Sequence, residues 1–178
     1  IANNLKLGWD AKSFYYINSL FFFENKTLVN LKEFHGHHYH PYLGSYLWAF
    51  FRNLSFVENE YFGRLFYVFI FSSSIYYVCQ IPNNKKLSFA YTIIIVSIFF
   101  NYNYFSGLQE ILIFSYLMIV SKYLYNLIKS KNNNYLIFIM IYLNLIFWTK
   151  LEGIIYFSIF ILILLFMFSI NKRIKLIF

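Results

Sequence analysis

The sequence predicts an all-α chain built as a polytopic transmembrane helix bundle, and three observations point there. The 178 residues are 60% hydrophobic and only 12% charged, with a mean hydropathy of +0.55; a water-soluble domain carries about 25% charged residues. Several apolar runs almost free of charge are long enough to cross the hydrocarbon core, which requires roughly 20 helical residues. Runs such as "SIFILILLFMF" do not alternate as barrel strands must, and in lipid a helix satisfies its own backbone.

Taken in order, residues 11–55 form an interfacial loop and the apolar runs place transmembrane helices at 60–79, 87–100, 109–125, 135–148 and 153–170. Within the loop, "SFYYINSLFFF" sets Phe14, Tyr15, Asn18 and Phe21 near helical spacing. "PYLGSYLWAFF" opens on Pro41, suited to a first helical turn, and carries Tyr42, Tyr46 and Trp48. Both are too short to span and rich in aromatics, which suits helices lying at headgroup level. The ends, "IANNLKLGWD" and "NKRIKLIF", have the character of cuts, so residues 1–178 read as part of a larger membrane protein.

Charge sorts the connections. Lys85 and Lys86 follow the first span, Lys129 and Lys131 the third, and Lys172, Arg173 and Lys175 the fifth, whereas "NYNYFSG" after the second has no basic residue and "WTKLEG" after the fourth has one. The positive-inside rule puts the lysine-rich set in the cytoplasm, with Lys122 near the cytoplasmic end of its span. Asp10, the histidines of "EFHGHHYHPYLGSYLW", Arg64, Glu110, Lys150 and Glu152 then gather at the opposite, outer face. The charge of +8 is distributed by topology rather than in an aromatic-interleaved patch, which argues against nucleic acid. Cys79, the single cysteine, cannot form an intrachain disulfide.

The outer residues allow several chemistries. His35, His37, His38 and His40 suit zinc by ligand type, but lack the helical spacing of the hydrolytic zinc motif; a loop bordering a phosphate or sugar, or a solvated loop, fits as well. Asp10 suits an N-cap for "AKSFYY" or a general base at the water–lipid boundary. Lys150 and Glu152 suit a pair across their turn, and Arg64, one turn into its span, needs an anionic partner or the outer headgroups. Asn25 and Asn53 open N-x-S/T sequons that chance explains in so Asn-rich a chain.

An acidic residue at the start of an outer segment, "HPYLGSYLWAFF", a span opening "EYFGRLFYVF", "GLQE" and the turn "WTKLEG" follow one another in an order that resembles the GT-C membrane glycosyltransferases. The likeness is to the branch of protein mannosyltransferases, the aminoarabinose transferase of lipid A and the RgtA/B/C/D-like enzymes, over the N-terminal half of such an enzyme. It implies Asp10 as the catalytic carboxylate, with His40, Arg64, Glu110, Lys150 and Glu152 around the substrate. "HPY" stands where the family has "HPP", and Ala11 stands where a second acid is common, which weakens a metal-binding version of the site.

The implied reaction moves a sugar from a polyprenyl-phosphate-linked donor to a glycan, lipid or protein hydroxyl on the outer face of an inner, plasma or endoplasmic-reticulum membrane. The resemblance implies no resident cofactor, and a divalent metal is the less favoured alternative. The rival readings are a transporter or lipid flippase and a structural membrane subunit; Pro41 and Pro82 outside the spans, and acids at span edges, favour surface chemistry.

Overall fold

Helices form every regular element in the described part of the chain, and the computed structural model describes residues 6–24, 41–54, 60–82, 84–99 and 106–170. A π-helical segment, Ala11–Tyr15, runs directly into α1 (Tyr16–Phe23). There follow α2 (Leu43–Leu54), α3 (Tyr61–Val78), α4 (Lys85–Phe99), α5 (Glu110–Ser130), α6 (Asn134–Thr149) and α7 (Gly153–Ile170). The fold is all-α. The histidines at 35–40 and the sequon at Asn25 lie outside the described residues.

Helices α3 to α7 coincide with the five apolar runs, and the differences at their ends have local causes. Helix α4 starts at Lys85 rather than at 87, because the Asn84 side chain accepts the Lys86 N–H at 2.9 Å as an N-cap. Helix α5 continues past 125 to Ser130 and stops where Lys131 turns left-handed, at φ 54°. Its lysines and asparagine are tolerated in a helix whose final turns face water. Of the described helices, α5 alone is both long and apolar enough to cross a membrane by length and composition; α6 and α7 are apolar but shorter.

Helix α5 is the axis of the bundle, packing on α3 along one side and on α6 along the other. Each contributes a stripe at helical spacing: Gly63, Tyr67, Phe71, Ile75 and Val78 from α3, Leu112, Tyr116, Val120 and Leu127 from α5, and Ile139, Leu143 and Ile146 from α6. At one end Trp48 of α2 is fully buried against this core. Its ring packs edge-on to Tyr67 at 5.9 Å, and its indole N–H donates to the Glu60 carbonyl at 2.9 Å.

Gly63 is what admits that indole, since a Cβ there would collide with the Trp48 ring. By contrast α4 and α7 are peripheral. Among the described side chains and glycines there, only Ile95 of α4, and Gly153 and Leu164 of α7, are buried, while Leu87, Phe89, Ile98, Ile155, Leu162 and Phe166 are largely exposed.

Candidate functional site

The end of the bundle near Trp48 is assembled from four stretches far apart in sequence. The Gly8 N–H donates to the Ser106 carbonyl at 2.9 Å, tying the segment before Asp10 to the loop that opens α5. Gly107, at φ +90°, makes the turn that follows, in a conformation side-chain-bearing residues rarely adopt. Gln109 is fully buried beneath that turn, with its side-chain amide between Ser45 of α2 and the Thr149 carbonyl at the end of α6. A buried amide met on both sides fixes the α2, α5 and α6 ends relative to one another.

Helix α6 ends because Lys150 is extended, at φ −156° and ψ 157°, and a single turn later Gly153 begins α7. The kink swings the Lys150 ammonium over the first turn of α5. There it donates to Glu110 Oε1 at 2.5 Å, and Glu152 Oε1 lies 3.4 Å away on its other side. Tyr15, in the π-helical segment, is hydrogen-bonded to the same lysine. A π-turn is uncommon and often marks a functional position; here it belongs to the stretch that brings Tyr15 to Lys150.

Burial alone would lower the Lys150 pKa. The hydrogen bond to Glu110 and the fields of Tyr15, Glu110 and Glu152 outweigh it and raise the pKa above the usual lysine value, so the ammonium is locked in its charged form. Burial pushes the Tyr15 phenol up to about 12, opposed by Lys150 and reinforced by Glu110 and Asp10. The Gly8–Ser106 bond holds Asp10 at the same end of the bundle as Glu110 and Lys150.

Asp10 is not the N-cap that its position suggests. It is already helical, at φ −61° and ψ −42°, and caps nothing with its side chain; the Lys12 N–H instead donates to the Gly8 carbonyl. The helix begins before Asp10, so the carboxylate stays half-exposed and, among the described residues, accepts no hydrogen bond. Glu110 Oε2 is likewise buried without a hydrogen-bond partner there. A cleft of about 100 Å³, a few water volumes, opens between Glu110, Lys150, Glu152 and Tyr156.

The structure therefore brings Glu110, Lys150 and Glu152 together and sets Asp10 at the same end of the bundle without a contact to them. Arg64 lies beside them at the Trp48 end, held by Glu60 in a two-pronged pair at 2.7 and 3.0 Å. His40 lies outside the described residues. Among the described residues no cluster of three or more histidines, cysteines and acids forms a metal site. Sequence reasoning missed Tyr15, Glu60 and Gln109. Tyr15 passed for one more interfacial aromatic, although it falls five residues after Asp10; Glu60 is legible as the i−4 partner of Arg64; Gln109 gave no signal beyond its place beside Glu110.

Comparison of the chain with protein-family models, with curated proteins and with solved structures finds no match.

Proposed function

We propose that the chain is part of a polytopic membrane glycosyltransferase that moves a sugar from a polyprenyl-phosphate-linked donor to an acceptor hydroxyl at the outer membrane face. The observation that carries the reading is an unbonded carboxylate, Asp10, at the same end of the bundle as the Glu110–Lys150–Glu152 group and away from Lys85, Lys86, Lys129 and Lys131, with the segment before Asp10 tied to the loop that opens α5 by the Gly8–Ser106 bond. The apolar residues exposed on α4 and α7 support membrane residence, because water would penalise so much uncovered hydrocarbon. At 1.5 Å per residue, α5 is about 31 Å long, matched to a hydrocarbon core, and the shorter neighbours call for local thinning.

In this reading the acceptor oxygen attacks the anomeric carbon and gives its proton to Asp10. The bond from that carbon to the donor phosphate breaks, with its electron pair passing to the phosphate oxygen, so polyprenyl phosphate leaves. Lys150 is not an idle cation waiting for that charge. Its three N–H donors face Glu110, Tyr15 and Glu152, so two carboxylates and a phenol surround one ammonium. The phosphate meets Lys150 by displacing Glu152, the most distant and most exposed partner, while Glu110 holds the lysine in place. The cleft takes one polar group, so the sugar ring lies at its mouth.

The test is transfer by the intact protein in vesicles supplied with radiolabelled polyprenyl-phosphate sugars. Asp10→Asn should lower the rate by about a hundredfold or more while leaving insertion and thermal stability unchanged; retained activity removes the assignment of the base. A transporter is the alternative, and label that crosses the bilayer still attached to its lipid would establish it instead.

A further inference from the structure

At the opposite end of the bundle lies a cation that meets no counter-charge among the described residues. Lys122, eight residues before the end of α5, is 8% exposed. Its Nζ sits 5.9 Å from the centre of the Tyr77 ring and 5.8 Å from that of Tyr125. Lys129 Nζ approaches the same Tyr125 ring at 5.8 Å. Two ammonium groups thus flank one aromatic ring, and ring faces supply only part of the compensation a buried charge needs. Among the described residues Lys122 meets no carboxylate. Asp10, Glu24, Glu60, Glu110 and Glu152 all lie in the N-terminal segment or at the far end of a helix.

We propose that Lys122 and Lys129, around Tyr125, bind the phosphate of an anionic phospholipid, with the Tyr77 and Tyr123 phenols beside it as further hydrogen-bonding groups. The depth fits. Tyr77 is the penultimate residue of α3, so an ammonium drawn to its ring stands where that helix ends, at headgroup level, although the Lys122 backbone lies deeper. Tyr77 and Tyr123 share a hydrogen bond, and their rings pack at 5.5 Å, giving the cations a firm back wall. Lys85, Lys86 and Lys131 add charge of the same sign nearby, which raises the local concentration of anionic lipid without defining the seat.

The inference rests on the membrane reading above but not on sugar transfer, and the experiment separates the two. Delipidated protein in detergent is titrated with phosphatidylglycerol, with phosphatidylcholine, or with inorganic phosphate, and its unfolding midpoint is followed. Phosphatidylglycerol should raise the midpoint, while the other two leave it in place. Lys122→Gln should weaken the apparent affinity about fivefold, Lys122→Arg should restore it, and Lys131→Gln, on an exposed turn, should not change it. Lys129→Gln, also exposed, carries the same expectation if Lys122→Gln does not fold.

Equal response to phosphatidylcholine, reproduction of the shift by inorganic phosphate, or equal losses in Lys122→Gln and Lys131→Gln would each overturn the site. Alkaline carbonate washing of vesicles tests the underlying reading. Protein released by it overturns both proposals, whereas protein retained yet indifferent to phosphatidylglycerol overturns this one alone.

Discussion

Lys150 carries three N–H donors, and the fold turns three acceptors toward it from three separate segments. Its replacement by Met would leave Glu110 buried against the cleft with neither oxygen neutralised. Breaking a fully buried pair costs about 3–5 kcal/mol; because Glu110 keeps some contact with solvent, the expected loss for Lys150→Met is about 2 kcal/mol. Denaturant unfolding measures it, and adding Glu110→Gln should recover part of it. The pH dependence has a definite sign. A lysine whose pKa is raised on folding contributes stability that is complete below its ordinary value of 10.5 and is lost as pH climbs through the raised one. The contribution of Lys150 should therefore be complete and independent of pH near neutrality and fall in strong alkali. Tyr15, raised as well, acts in the same direction, so an alkaline slope should remain in Lys150→Met.

Among the elements, the contact of α2 with α3 depends on one missing side chain. Gly63→Ala would drive a methyl into the Trp48 indole, whose N–H is fixed by the Glu60 carbonyl and whose far edge abuts Gly107. With no free direction for the ring to move, overpacking should cost about 3 kcal/mol, and Trp48→Ala about 3–5 kcal/mol by the cavity it opens. Thermal unfolding of both variants checks this, and Gly63→Ala should remain destabilising, though less so, in a Trp48→Ala background, because the methyl would still meet the carbonyl oxygen of residue 48. The helices were largely legible because hydrophobic periodicity and uninterrupted apolar length are written locally. Of the two readings open for Asp10, the cap is the one the fold sets aside: capping propensity is local too, but Asp10 is already helical, and the segment before it is anchored by the Gly8–Ser106 bond to a loop nearly a hundred positions away. The same distance hides Tyr15 and Gln109, whose roles come from what the fold brings to them.

For the molecule as a whole, the decisive property is the segregation of charge, with lysines unaccompanied by acids at one end and every described carboxylate toward the other. That pattern could be read from loop order, since consecutive helices of an up-and-down bundle must alternate ends. The clustering within an end could not: Glu110 and Lys150 are forty residues apart, yet their side chains touch. If the segregation reflects a membrane with the lysines on the cytoplasmic side, the two ends must differ in access to an impermeant reagent. The chain suits the measurement because its single cysteine, Cys79, is buried and replaceable by Ser. In that background a cysteine at Lys12 or Glu152 should react with a charged maleimide added outside sealed cells. One at Lys86 or Lys131 should react only after permeabilisation. Labelling at Lys86 but not at Glu152 would invert the orientation, placing the Asp10 site in the cytoplasm and removing the outer-face transferase. Labelling of all four in sealed cells would mean that no bilayer separates the two ends, and the apolar surfaces of α4 and α7 would then have to be covered by protein rather than lipid.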